Sequence, residues 1–260
     1  MISIELTPKA LQRRVNYLNQ TQTQFPMKKL IIVVLVLLAG QNFVNAHTCE
    51  NETVKCPIDN KEVSFCVTMS MSTFGTTKDF QSQGAIGSHY EELINSCPKC
   101  HFSGYIDDFK GTLNEDEKSI IKDYLAKLEK VKIDNARECL IAAEIKELQK
   151  KPNREIAFCY VTGSYLLREK TKQDAFRKEL QTKASENLIT ALAKNEYEDK
   201  TVIANINYLV AEMARRSGNF DKAIQFYDLA INDQNKKDWV EKVAKEQKEL
   251  ASKKDENNTI

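Results

Sequence analysis

Two short turns of one design constrain this chain more than anything else in it: Cys56-Pro57-Ile58-Asp59 and Cys97-Pro98-Lys99-Cys100. In each, proline fixes φ one residue after a cysteine. A residue that tolerates the left-handed conformation, Asn60 or His101, then closes the turn. Such a turn directs two side chains and its backbone N–H groups at one point.

Two C-P-x-[C/D] knuckles from distant parts of a chain, directed at a single ion, are the plan of a zinc ribbon. The candidate ligands are Cys56, Asp59, Cys97 and Cys100. The flanking sequence suits a small β module over residues 47–112. Val63, Phe65, Val67, Met69 and Met71 alternate with polar residues, which predicts a half-buried strand with that stripe in the core. Val54 to Asn60 reads as strand, tight turn and the start of the next strand.

Cys56-Pro57-Ile58-Asp59, Ser72-Thr73, Asp79-Phe80, His89-Tyr90-Glu91 and Cys97-Pro98-Lys99-Cys100-His101-Phe102 follow one another in a recognisable order. Over roughly residues 53 to 232 the chain resembles the bacterial family catalogued as domain of unknown function 2225. Its members have paired CPxC knuckles followed by tetratricopeptide-type helices. The resemblance implies a fold and a metal site, and it implies no activity. This sequence departs from the pattern at Asp59, where the family's second cysteine belongs. A Cys₃Asp set is a weaker match to zinc than four cysteines. Cys66, His89 and His101 are the other candidates for a fourth ligand. Two further readings stay open: a structural disulfide from Cys56 to one of the second pair, and a redox dithiol at Cys97 and Cys100. The dithiol lacks the βαβ surroundings of a thioredoxin site.

A leader for export comes first and changes how the cysteines are read, because all seven lie beyond its cleavage point. Met27-Lys28-Lys29, the apolar run Leu30 to Ala39, and Val44 and Ala46 at −3 and −1 form a signal peptide over 27–46. The run is short of the roughly 20 apolar residues of a membrane span, so no stable span is expected after cleavage behind Ala46. An uncleaved anchor is the other reading. Residues 1–26 read as an upstream artefact or a disordered segment. Beyond Ala46 the chain carries 33 basic and 36 acidic residues, a net of −3, which gives no footprint for nucleic acid. An odd number of cysteines in an oxidising compartment leaves at least one unpaired or metal-bound.

From residue 113 to 252 the pattern is helical. Asn114 and Glu117 form a capping box for a helix over 115–131. Further helices are expected over 135–150 and 154–170. Cys139 and Cys159 sit on these as small buried hydrophobes. Asn207 to Ala230 is the clearest repeat, with Ala211, Ala214, Gly218, Phe220, Ala223, Tyr227 and Ala230 at tetratricopeptide positions. Gly163, Leu166, Ala184, Leu188 and Ala191 fit an earlier, stretched pair. A capping helix from Asp238 to Leu250 should carry Trp239 as a packing residue, and the tail 253–260 is expected to be disordered.

The fold class is therefore α+β and mostly α: a zinc-ribbon-like module followed by an antiparallel, tetratricopeptide-like array. There is no G-x-S-x-G, Walker loop or H-E-x-x-H. The expected function is an exported, non-enzymatic envelope protein, periplasmic or secreted, that binds a protein or peptide partner. Its module is stapled by structural zinc or a disulfide. The competing class is a thiol oxidoreductase or metal carrier acting through Cys97 and Cys100. The sequence does not specify an oligomeric state.

Overall fold

The computed structural model describes residues 47–84, 89–128 and 132–257. The leader at 27–46, its cleavage point and the segment 1–26 lie outside the described residues. The fold is mostly helical, with a small antiparallel β module ahead of a helical array.

The first knuckle joins β1 (His47–Lys55) to β2 (Glu62–Met71) as an antiparallel hairpin. Val54, Val63 and Phe65 are buried, as alternation predicts. The rest of the stripe departs from that expectation, with Met69 65% exposed. The half of the hairpin beside the knuckle meets an aromatic layer. There Phe65 meets Phe109 edge-on at 5.2 Å, and Phe109 meets Phe102 at 5.0 Å.

A second hairpin follows, β3 (Thr73–Thr76) and β4 (Ser82–Gly84). After it come α1 (Tyr90–Leu93), the pair β5 (Asn95–Ser96) and β6 (Ser103–Gly104) around the second knuckle, and α2 (Ile106–Lys110).

Helix α3 (Glu115–Leu125) starts at the expected capping box: the Glu117 N–H donates to Asn114 Oδ1 at 2.8 Å, and the Asn114 N–H to Glu117 Oε2 at 2.9 Å. It stops earlier than periodicity suggests, passing into a 3₁₀ turn over Ala126–Leu128. Helices α4 (Asn135–Leu148), α5 (Asn153–Leu166), α6 (Asp174–Ala193), α7 (Ile203–Arg216), α8 (Phe220–Asn232) and α9 (Asp238–Ser252) then stack, each against the next. Gly218, at φ +90°, makes the turn between α7 and α8 in a conformation that side chains avoid. Among the described residues no helix is long and apolar enough to cross a membrane.

Close approach of α4, α5 and α6 depends on Gly163. A Cβ there would stand 3.0 Å from the Cβ of Cys139 and 2.9 Å from Cδ1 of Leu180. Cys139 and Cys159 are unpaired and buried, in keeping with small core residues, and burial pushes both thiols up. Gly163→Ala should gain about 1 kcal/mol of helix propensity and lose about 1–3 kcal/mol to overpacking. The expected net result is a lower urea midpoint; a higher one would show that the crossing has slack.

The module and the helices share a core across the boundary expected at 112/113. One cluster joins Val54, Val63, Phe65, Phe102 and Phe109 to Leu113, Ile121, Leu125, Ile141 and Ile145. Lys146 of α4 reinforces it, reaching Asp108 of α2 at 2.6 Å.

A buried ionic network fixes the β3–β4 loop to the array. Arg168 Nη2 donates to both carboxylate oxygens of Asp79 at 2.7 Å, Arg216 lies 3.7 Å away, and Thr77 Oγ1 donates at 2.6 Å. The Tyr165 hydroxyl donates to the Asp79 carbonyl. Glu212 accepts from Arg216 Nε at 2.8 Å, from Arg215 Nη2 at 3.2 Å and from the Tyr227 hydroxyl.

Arg215 also holds part of the segment that follows α9. Its Nη1 donates to the carbonyls of Asp255 at 2.9 Å and Asn257 at 3.1 Å. A buried guanidinium requires acceptors, and the carbonyls of residues 255 and 257 supply two of them.

Candidate metal centre

Each knuckle closes on itself in the same way. The Cys56 N–H donates to the Lys61 carbonyl at 2.8 Å and the Asn60 N–H to the Cys56 carbonyl at 2.9 Å; Cys97, Phe102 and His101 repeat both bonds at 2.8 and 2.9 Å. Asn60 at φ 60° and His101 at φ 63° occupy the left-handed slots that turn chemistry assigns them. Two local sequences therefore produce two superposable turns. The aromatic core beneath them, Phe65, Phe102 and Phe109, brings the turns together.

The four side chains meet. Donor atoms of Cys56, Asp59, Cys97 and Cys100 all lie within 4.8 Å of one another. Cys56 Sγ and Cys100 Sγ are 3.5 Å apart, and the Cys97 thiol points at the Asp59 carboxylate, 3.5 Å from Oδ1 and 3.7 Å from Oδ2. A tetrahedral ion with bonds of about 2.3 Å to sulfur needs donor spacings of about 3.8 Å, so this cluster can hold a metal ion with little movement.

The three other candidates for a fourth ligand are placed elsewhere. Cys66 forms a disulfide with Cys49 across β1 and β2, with Cα atoms 5.2 Å apart. His89 Nδ1 sits 3.2 Å from Met71 Sδ. His101 lines a cleft beside the cluster and lies outside the donor set. No disulfide links Cys56 to the second pair; Cys56, Cys97 and Cys100 are all free.

The electrostatics favour protonated thiols until a cation arrives. The contact with Cys100, with burial added, pushes Cys56 far above the ordinary thiol range. Burial also raises Cys97. Burial opposes ionisation of Asp59, but the Lys61 N–H, both thiols and nearby Lys99 outweigh it, so its carboxyl lies below the usual range. A metal entering this site must displace thiol protons, which makes binding weaker at low pH.

The protein has a second concave feature, on the helical array. A groove of about 540 Å³ runs between α5 and α7, with Tyr165, Ile206 and Leu209 among its walls. Phe80, at the tip of the anchored β3–β4 loop, closes one side and packs on Tyr208 and Trp239. Phe158 and Trp239 stand at the groove 41% and 43% exposed. Trp239, expected as a packing residue of the capping helix, packs on Phe80 from α9 and also lines the groove. The signal for this groove in the sequence was Asp79-Phe80, carried only by the family resemblance.

The family model described as "Uncharacterized protein conserved in bacteria (DUF2225)" matches residues 49–251. No curated protein matches the chain, and no solved structure does.

Proposed function

This chain belongs to the uncharacterised bacterial family DUF2225, and from that premise we propose an exported, non-enzymatic envelope protein, periplasmic or secreted. It holds a protein or peptide partner in a tetratricopeptide-like groove and uses zinc as a structural staple. One observation carries the binding role: an apolar groove whose rim exposes two large aromatic side chains. Large exposed aromatics beside a preformed apolar groove mark recognition surfaces, where one anchor residue of the partner supplies most of the affinity. Among the described residues the groove's lining carries no charged side chain, so the anchor is apolar: an aromatic or branched aliphatic side chain of a peptide segment.

Zinc suits the donor set. Three thiols and one carboxylate in a tetrahedron match a borderline-soft ion, whereas calcium and magnesium require shells of oxygen. Bound there by Cys56, Asp59, Cys97 and Cys100, it would fasten two knuckles and supply folding energy. The Cys49–Cys66 pair supports export, since disulfides persist in oxidising compartments. The thiol oxidoreductase reading has less support, because an attacking thiol must be accessible, whereas Cys97 is fully buried and Cys100 only partly exposed.

A photo-crosslinking residue at position 158, in cells separated into compartments, tests the reading. The expected result is an adduct in the exported fraction that disappears when Ile206→Asp charges the groove. Position 229, exposed on α8, serves as the control. Equal adducts from both positions, or adducts confined to the cytoplasm, would overturn it.

A further inference from the structure

We infer that the fourth coordination position of the metal centre is a binding site for a small anionic thiol, which enters from the neighbouring cleft and takes the place of Asp59. The inference rests on the zinc reading above and extends it to a ligand.

The centre is closed on one side only. Cys56 and Cys97 are fully buried, whereas Asp59 and Cys100 are partly exposed. Those two open onto a cleft of about 560 Å³ whose walls include Lys99, His101 and Lys122. Three cysteines retain the ion, and the carboxylate is the weakest of the four donors for a soft-leaning metal. A thiolate from solution is a better donor than the group it replaces. The displaced carboxylate keeps a partner, since Asp59 Oδ1 accepts from the Lys61 N–H at 3.0 Å.

The ligand's second feature follows from the cleft's charge. Among the described residues that line it, Asp59 is the one carboxylate, against two lysines. A thiol carrying a second negative group, such as a carboxylate, meets those ammonium groups while its sulfur reaches the ion. The step is a ligand substitution: a metal–sulfur bond forms, a metal–oxygen bond breaks, the thiol proton leaves to solvent, and nothing is oxidised or reduced.

Cobalt(II) substituted into the full chain gives a direct readout, because each thiolate adds to the charge-transfer absorption. Thioglycolate is the probe. The expected result is a rise in that absorption by about one third, as three thiolates become four, with cobalt remaining bound. Asp59→Cys should start at the higher level and not respond. It carries the same Cys49–Cys66 disulfide, so reduction of that bond by the probe cannot imitate the difference. Lys99→Ala with Lys122→Ala should weaken the response about tenfold in probe concentration. An unchanged wild-type spectrum, cobalt stripped by the probe, or an equal response in Asp59→Cys overturns the site while leaving the zinc staple intact. Absence of any thiolate–cobalt absorption overturns both.

Discussion

Replacing Cys97 with serine is expected to abolish metal binding and to lower the thermal midpoint by at least about 10 °C, with loss of helix as well as strand signal. Metal binding at a thiolate-rich site contributes on the order of 10 kcal/mol in isolated modules, much of it as folding energy. A loss of about 5 kcal/mol in a domain of this size corresponds to roughly 10–20 °C. Serine removes a soft donor and leaves a hydroxyl at a site with no exposure, among Val54, Phe65 and Phe102. The helical part of the expectation comes from the shared core. Ile121 and Leu125 of α3 and Ile141 and Ile145 of α4 pack in the same cluster as the knuckles. Amide exchange should therefore speed up in β1, β2, α2, α3 and the inner face of α4, while α7 and α8, which belong to the other cluster, keep their protection. A variant with full helix content and a midpoint within about 2 °C of wild type would show that the knuckles are ornamental to this core.

Residues 47–112 and 113–252 looked like separate domains because their periodicities differ, two in one and 3.6 in the other. Periodicity reports which face of an element is apolar and says nothing about what that face meets. Phe109 and Leu113 fall on opposite sides of the change in pattern and in one cluster. What was legible was local. The knuckles could be read because proline, and a residue at φ near +60°, act within five residues. The α3 capping box and Gly218 could be read for the same reason. The Cys49–Cys66 pairing was not legible, since spacing does not determine connectivity among seven cysteines.

The β3–β4 loop was equally hidden. Asp79 lies in a segment with no periodicity, and the Arg168 and Arg216 that hold it are 89 and 137 positions further along. On α7, Glu212, Arg215 and Arg216 have the i, i+3 and i+4 spacing of a solvated salt-bridged face. All three are fully buried. Ala211 and Ala214, read as packing residues, were the nearest available hint. Small residues interleaved with the charge triplet let the neighbouring helices come close enough to cover it.

That buried triplet sets the second large effect. Glu212→Gln keeps the volume and a hydrogen-bond acceptor but removes the negative charge that Arg215 and Arg216 share at 3.2 and 2.8 Å. Breaking a buried pair by neutralising one member typically costs about 3–5 kcal/mol, because the remaining charge has no water to turn to. Against a total stability of about 5–15 kcal/mol this is a large fraction. The expected result is a midpoint lower by about 6–20 °C. Asp228→Asn, which breaks the half-exposed pair with Lys248 at 2.6 Å, should cost no more than about 1 kcal/mol. Adding Arg216→Met to Glu212→Gln should depart from the sum of the two single changes by about 0.5–3 kcal/mol, because the two side chains are in direct contact at 2.8 Å and share a network that runs on to Asp79.

The acid limb gives an independent check. Burial opposes ionisation of Asp79, but Arg216 and Arg168 more than reverse that, so its folded pKa lies below the unfolded value. Its contribution is therefore fully present above the unfolded carboxylate value of about 3.9 and fades as pH falls through the lower folded value. Wild type should lose stability steeply below about pH 4. Asp79→Asn, already without that contribution, should be less stable at neutral pH and show a flatter acid limb. Equal acid slopes in the two proteins would mean that the Asp79 carboxylate contributes nothing to the acid limb.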